Sequence, residues 1–171
     1  MTTVAAADAG TWTVDAGILA GFAARNFAVK IVRGTIAVTA GIVEIGPDGR
    51  PSRLSGTLDP ASIDTGNPRR DKDLRGKRFL DVVNHPRMDV VAEHIEPTTT
   101  GWRARAVLRV AGAEAPLWID GTIDDASTAA RLLVTGTARL DLRDVGIRAP
   151  RLLVGRWVEL TVSVHLTRRP D

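Results

Sequence analysis

The chain has 171 residues, of which 44% are hydrophobic and 25% are charged, a composition typical of one globular domain that can bury a sizeable core. It contains no cysteine, so disulfides and thiolate metal sites are excluded. The net charge is only +3, and six of the 23 basic residues lie between Asn67 and Asp81, with three of the 20 acidic residues. The remainder is balanced, 17 against 17, which argues against a nucleic-acid surface spread over the whole protein.

The N-terminal residues MTTVAAADAGTW lack the basic and apolar segments of a signal peptide. No stretch approaches about 18 consecutive apolar residues, the length that predicts a transmembrane helix. We therefore expect no transmembrane segment and a cytoplasmic location. Residues 1–11 are predicted to form a short N-terminal tail, and residues 12–168 a single domain.

Alternation of apolar and polar residues dominates the chain and predicts β-strands. It is clearest near the C-terminus, where Val158, Leu160 and Val162 alternate with polar residues. Turn signals such as Pro47-Asp48-Gly49 separate the segments. The predicted strands cover residues 11–15, 28–45, 54–64, 87–96, 102–110, 117–123, 132–140 and 156–167. About eight strands with one apolar and one polar face indicate an all-β fold, and leave open an antiparallel barrel or a sandwich.

One helix is predicted, in the basic segment between two strands. Asn67 is a favoured N-cap, and Pro68 suits the first helical position. The helix would cover residues 68–76 and end at Gly76, and Pro86 would end whatever follows it. The segment is interpreted first as a structural element in which Arg/Asp pairs hold the helix at the mouth of the barrel. A phosphate-binding or membrane-binding patch is the alternative, since arginine side chains suit phosphate.

The same segment carries a long motif. Residues 62–67 read SIDTGN and are followed at fixed spacing by Arg70-Asp71, Leu74-Arg75, Phe79-Leu80-Asp81 and Pro86. This pattern closely resembles the signature of the YceI family of polyisoprenoid-binding proteins. Further similarities lie at Trp12 to Asp15, at Val32-Arg33-Gly34 and at Asp144-Val145-Gly146-Ile147. The resemblance extends from about Trp12 to Leu166, nearly the whole chain.

The resemblance implies an extended eight-stranded antiparallel lipocalin-like barrel, with one short helix inserted between strands, around an apolar tunnel. It implies a non-catalytic binding or carrier protein for a polyisoprenoid or an isoprenoid quinone tail, with no required cofactor. Leu74 and Phe79 are expected to hold the helix on the barrel and to close one end of the tunnel. The residues predicted to line the tunnel are Phe22, Phe27, Leu74, Phe79, Met88, Val90, Leu108, Leu117, Ile119, Leu160 and Val162.

Four positions depart from the family pattern. Gly17-Ile18-Leu19 stands where the family usually has a His-Ser pair, and Asn26 and Asp73 stand where it has histidines. Leu142 aligns with a position where an arginine is often found. The loss of these polar groups predicts weak recognition of a polar head group, so that affinity would follow the apolar tail.

Two other classes of function remain open from the residues alone. An enzyme acting on a small apolar ligand could use Asp71, Asp141 or a histidine as acid or base. The Asp141, Arg143 and Asp144 cluster is more simply interpreted as a salt bridge in a turn. The three histidines have no spacing that indicates a metal site, so none is expected.

Binding of nucleic acid through residues 69–78 is the third class. It is not expected, because the chain has no tyrosine and only 4% aromatic residues, which leaves few side chains to stack on bases. The apolar isoprenoid ligand is the expected partner. Transient contact with a membrane surface and formation of a homodimer are left open.

Overall fold

The computed structural model describes residues 7–25, 30–124, 130–147 and 156–170. These residues contain one helix, α1 (Pro68–Arg75), and nine strands in a single sheet. The strands are β1 (Gly10–Val14), β2 (Leu19–Arg25), β3 (Ile31–Ile45), β4 (Pro51–Asp64), β5 (Met88–Pro97), β6 (Trp102–Val110), β7 (Ala113–Ile123), β8 (Arg131–Asp141) and β9 (Trp157–Arg168). None of the helical structure in these ranges is long and apolar enough to cross a membrane.

The sheet closes into an antiparallel barrel. Its hydrogen-bonded order is β1-β3-β2-β9-β8-β7-β6-β5-β4, and β3 also pairs with β4, which joins the two edges. The ring has eight strand positions because β1 and β2 share one. Both pair with β3 and with β9, β2 at one end of the barrel and β1 at the other. The predicted eight-stranded barrel with one short helix is confirmed, and the sandwich is excluded.

β2 is the strand that the sequence pattern does not predict. A short turn at residues 15–18 separates β1 from β2, and Gly17 in this turn has a φ of +80°, which favours glycine. Two backbone hydrogen bonds hold this connection in place. The N–H of Asp15 donates to the carbonyl of His165 on β9, and the N–H of Val38 on β3 donates to the carbonyl of Ile18, so β1 and β2 stay in line. The sequence of β2, LAGFAAR, is rich in alanine and glycine, which have low strand propensity.

The alternation predicted from the sequence determines which side chains fill the barrel. Along β6 every second residue from Trp102 to Val110 is buried, and the residues between them are exposed. Ala104 and Ala106 therefore lie in the interior, while Arg105 lies outside. The buried residues of the other strands join them in one hydrophobic core, as expected for a closed sheet whose outer face is solvated.

Two tryptophans fill one end of the barrel. Trp12 on β1 is fully buried, and its indole N–H donates to the carbonyl of Asp8 at 3.0 Å. The ring of Trp102 lies directly on Gly121 of β7, so closely that no side chain could replace the glycine hydrogen. The indole nitrogen of Trp102 is buried and has no hydrogen-bond partner among the described residues. Both tryptophans belong to the hydrophobic core at this end of the barrel.

The opposite end carries α1 and the loop that follows it. Asn67 caps the helix as predicted, since its side chain accepts from the N–H of Arg70, and Pro68 occupies the first turn. The helix ends at Arg75. Gly76 is extended, with a φ of −73°, and its N–H donates to the carbonyl of Asp73. The predicted stop at Gly76 is therefore confirmed, but no left-handed glycine is needed there.

Candidate functional site

An apolar cavity of about 170 Å³ lies inside the barrel at the α1 end. Strands β2, β3, β4, β5, β6, β8 and β9 contribute to its wall, together with α1 and the loops that follow α1 and β8. Sixteen lining residues are apolar and two are arginines. The lining residues are Phe22, Ala24, Arg25, Val32, Ile36, Ile63, Arg70, Leu74, Phe79, Leu80, Met88, Val110, Leu140, Leu142, Val145, Ile147, Val158 and Leu160.

The structure brings together five of the eleven residues predicted to line a tunnel. These are Phe22, Leu74, Phe79, Met88 and Leu160. The positions of Leu74 and Phe79 agree with the expectation that the helix segment closes one end of the interior. Phe27 lies outside the described residues.

The other five predicted residues lie away from the cavity wall. Leu108 and Leu117 are buried in the packed core. Val90, Ile119 and Val162 share the inward faces of their strands, yet each is only half-buried. Val90 and Ile119 pack against the edge of the hydrophobic core. The binding role of all eleven residues remains a prediction.

Many wall residues were missed because the sequence does not reveal how far each strand is shifted along its neighbours. The wall is built from strand ends, such as Val110 on β6 and Leu140 on β8, rather than from strand centres. Leu140 pairs with Val158, and both line the cavity. The sequence did offer one signal for these wall residues. Strands whose ends adjoin the segment that carries α1 must reach the same end of the barrel, so the last inward residues of those strands are candidates for the wall.

The two arginines lie at the mouth of the cavity. Arg25 at the end of β2 is exposed, so the cavity reaches the surface there. Arg70 of α1 donates from Nε to the hydroxyl of Thr65 at 2.8 Å and from Nη2 to the carbonyl of Thr65 at 3.0 Å. Among the described residues, no carboxylate forms an ion pair with either guanidinium. The mouth is therefore positively charged above an apolar wall.

Hydrogen bonds from α1 to the end of β4 hold the helix over the barrel. Asp71 is 5% exposed and accepts from both the backbone N–H and the hydroxyl of Thr65. Arg75 donates to the carbonyls of Ala61 and Ile63 at 2.8 and 2.9 Å. The structural interpretation of these residues is confirmed, but the predicted Arg/Asp ion pairs are wrong. The hydrogen-bond partners of these helix residues are instead Thr65 and backbone carbonyls at the end of β4. Backbone groups at a strand end have lost their partners in the sheet and need other hydrogen bonds.

A second buried carboxylate fixes the loop after β8. Asp141 is 7% exposed and forms ion pairs with Arg143 at 3.3 Å and with Arg156 at 2.8 Å. The loop that it anchors places Leu142, Val145 and Ile147 on the cavity wall. Gly146 has a φ of +68°, which allows the tight turn within this loop. Asp141 therefore acts as a structural residue of the mouth, as the salt-bridge interpretation predicts.

We expect Asp141→Asn to lower the free energy of unfolding by about 2 kcal/mol, because it removes both ion pairs from a buried site. Urea denaturation measures the change. Glu114→Gln is the matched control, since it breaks the equally short 2.8 Å pair with Arg109, in which both side chains are mostly exposed. That change should cost less than about 1 kcal/mol. Equal losses in the two variants would show that Asp141 does not anchor the loop.

No acid–base group is free inside the cavity among the described lining residues. Asp71 and Asp141 are both committed to the hydrogen bonds given above, and none of His85, His94 and His165 lines the wall. Within the described part of the chain, no group of three or more His, Asp or Glu side chains is arranged to hold a metal ion. The geometry offers an apolar enclosure with a basic mouth, which can bind but has no evident proton-transfer group.

The sequence profile of the YceI-like domain matches residues 12–166, most of the chain. The chain belongs to the YceI-like family. A UPF0312 protein from Serratia proteamaculans is 25% identical over 125 residues, which are 71% of this chain and 65% of that protein. The chain thus spans just under two thirds of the length of this curated relative.

Solved structures of similar fold share little sequence with this YceI-like chain. BcnA from Burkholderia cenocepacia has a TM-score of 0.75 at 17% identity, with 89% of this chain and 98% of BcnA covered. A polyisoprenoid binding domain from Saccharophagus degradans, implicated in plant cell wall breakdown, has a TM-score of 0.73 at 12% identity, with 92% of this chain and 98% of that domain covered. The YceI protein of Campylobacter jejuni has a TM-score of 0.70 at 17% identity, covering 81% and 86%. These likenesses support the YceI-like fold alone.

The structure also locates the departures from the YceI-like pattern. Leu142 lines the cavity, so an apolar side chain occupies the wall where an arginine is often found. Asp73 is exposed on α1, and Leu19 is exposed at the start of β2. Asn26 lies outside the described residues. Of the departures that the structure describes, only that at Leu142 changes the cavity wall, and it makes the wall more apolar.

Proposed function

We propose that this protein is a non-catalytic binding or carrier protein for an apolar, isoprenoid-type ligand, such as a polyisoprenoid or a quinone tail, held in the barrel interior. The observation that supports this proposal best is the cavity wall, sixteen of whose eighteen residues are apolar. A polar substrate would lose its hydrogen bonds to water on entering such a site and gain none. The polyisoprenoid binding domain of similar fold supports the same class of ligand.

The size of the cavity suits the first part of a branched apolar chain. An apolar cavity of about 150 Å³ is known to hold a benzene ring, which has six carbons, so about 170 Å³ accepts about one five-carbon isoprene unit. Burial of apolar carbon contributes about 0.8 kcal/mol per methylene before ordering costs. A longer tail would have to extend toward Val90, Ile119 and Val162, which face the interior and are only half-buried.

The same contacts support tail recognition over head-group recognition. Arg70 already donates to Thr65, and Arg25 is exposed, so neither offers a desolvated contact to a head group. Leu142 replaces a polar contact on the wall with an apolar one. The affinity of the interior for a ligand therefore depends mainly on the length of the apolar chain.

Affinity should rise with each isoprene unit and change little with a neutral head group. We expect at least about tenfold tighter binding per added unit until the interior is full, since five buried carbons contribute about 4 kcal/mol and ordering the chain offsets part of it. Exchanging an alcohol for a quinone on the same tail should change affinity by less than about threefold. Displacement of a fluorescent polyprenyl probe measures both series, after native mass spectrometry and organic extraction of the freshly purified protein identify any ligand that co-purifies. Affinity that depends on the head group and not on tail length would refute tail recognition.

A further inference from the structure

The six basic residues of the helix segment divide into two groups. Arg70 and Arg75 bind the end of β4, as described above. The side chains of the other four are exposed and form no hydrogen bond or ion pair with any described residue. We call these four the mouth cations, namely Arg69, Lys72, Lys77 and Arg78. The fold does not need them for its own hydrogen bonding.

The acidic residues of the same segment do not neutralise this surface. Asp71 is buried and bound to Thr65. Both carboxylate oxygens of Asp81 accept from the side-chain amide of Asn84, at 3.1 and 3.0 Å. Asp73 alone is exposed without a partner in this segment. Hydrogen bonds to the neutral Asn84 leave the charge of Asp81 in place, so residues 67–81 carry a net charge of +3. Four of their cations are exposed without a partner among the described residues, against one such carboxylate, Asp73.

An exposed apolar side chain follows the basic residues in the chain. Val83, in the loop after α1, is 88% exposed, the highest value among the exposed large hydrophobic residues of the described chain. Leu74, Phe79 and Leu80 of the same helix and loop line the cavity. The segment thus contributes these three residues to the cavity wall, while the mouth cations and Val83 are exposed to solvent and form what we call its outer face.

We propose that this outer face docks on an anionic lipid bilayer and places the mouth of the cavity against the lipids. Cations near an anionic leaflet are attracted electrostatically, and an exposed aliphatic side chain gains from entering the interface. Nucleic acid fits less well, because the face offers Val83 where base stacking needs an aromatic ring. This inference goes beyond the proposed function and does not depend on which apolar ligand the barrel holds.

The barrel wall is the competing surface. It exposes Val107 and Trp118, and several arginines lie around them. Two of those arginines have acidic partners, however: Arg103 is 3.6 Å from Asp120 and stacks on Trp118, and Arg109 pairs with Glu114. Arg105 has no acidic partner among the described residues. The wall is therefore closer to electrical neutrality than the mouth, and the charge argument favours the mouth.

The first test is sedimentation of the intact protein with lipid vesicles. The parent should bind vesicles containing about one third phosphatidylglycerol and show little binding to pure phosphatidylcholine. Lys72→Gln with Lys77→Gln should lower the partition coefficient about 25-fold, since each cation near an anionic surface contributes about fivefold. Arg103→Gln with Arg105→Gln on the barrel wall removes the same charge and should change it less than about threefold.

The second test locates the contact. Because the chain has no cysteine, Val83→Cys and Val107→Cys each accept a single environment-sensitive fluorophore. Emission from the label at position 83 should shift to the blue when anionic vesicles are added, and emission from the label at position 107 should not. A shift at position 107 alone would overturn the proposal in favour of the wall.

The remaining outcomes are decisive in the same way. Equal loss of vesicle binding in the mouth and wall variants would overturn the proposal, as would tighter binding to a single-stranded oligonucleotide than to the vesicles. The mouth variant should still take up a polyprenyl probe in solution, so failure of docking and failure of ligand binding are separate results. A mouth variant that takes up the probe and still binds vesicles normally would contradict the docking proposal alone.

Discussion

Ala24→Phe should abolish uptake of an apolar probe and leave the protein at least as stable as the parent. Ala24 lies on the cavity wall, and its strand partners Val32 and Val158 lie on that wall too. The added ring is close to the size of benzene, which a cavity of about this volume accommodates. It should therefore occupy the space that the ligand needs. Filling an existing cavity restores van der Waals contacts, so we expect a gain of about 1 kcal/mol in the free energy of unfolding.

Ala106→Phe is the matched control for this substitution. Ala106 also faces the interior, but it is 1% exposed and packed between Ala92 and Leu117 on the neighbouring strands. The same added ring has no space there and should destabilise the protein by about 1–3 kcal/mol or more. Probe displacement and urea unfolding measure the two variants side by side. If Ala24→Phe destabilises as much as the control, the cavity does not exist in solution; if it binds the probe normally, the ligand lies elsewhere.

The barrel could be predicted from the sequence because most strands have one buried and one solvated face. Alternation along β6 fixes both its limits and its inward residues, and the prediction for residues 102–110 matches the strand. β2 could not be found this way. Its alanines and glycine make a weak pattern, and the ring of Phe22 packs against Gly34 on the neighbouring strand β3. β2 forms a strand because it pairs with β3 and β9, and the residues of β2 alone do not reveal those partners.

β7 shows a second limit of local patterns. The predicted strand begins at residue 117, yet β7 begins at Ala113 and includes Pro116. Proline is usually confined to strand edges. Residues 113–118 pair with β6, and pairing with β8 begins only at Ile119, so Pro116 lies in a part of β7 with a free edge. Whether a residue lies at an edge or in the centre of a sheet depends on which strands pair beside it, and local sequence patterns do not predict this.

The cavity was predicted less completely than the fold for a related reason. Inward residues can be read from alternation, but their height along the barrel depends on how each strand is shifted against the next. The predicted set mixes wall residues such as Leu160 with packed ones such as Leu117. The basic segment shows the same limit. All six cations look alike in the sequence, and only the positions of the β4 carbonyls distinguish Arg75 from Lys77.

Asp71→Ala should lower the free energy of unfolding by about 3 kcal/mol and weaken ligand binding at least about tenfold. The carboxylate is buried and accepts two hydrogen bonds from Thr65, whose hydroxyl also accepts from Arg70. Removing it leaves the Thr65 donors without their acceptor and takes away the negative charge beside Arg70. The helix then keeps the hydrogen bonds of Arg75 to β4 but loses its buried anchor at Thr65, so the place of Leu74 on the cavity wall is less well fixed.

Asp73→Ala is the control, because it removes the same charge from the same helix at an exposed position with no side-chain hydrogen bond. Asp73 lies near the C-terminal end of α1, where a negative charge is unfavourable, so its removal should leave stability unchanged within about 0.5 kcal/mol. Urea unfolding and probe titration at fixed temperature separate the two effects. A loss of stability in Asp71→Ala with unchanged affinity would mean that the cavity keeps its shape without the helix. Equal behaviour of both variants would mean that the hydrogen bonds of Asp71 do not hold α1 on the barrel, and the wall formed by Leu74 and Phe79 would then need another support.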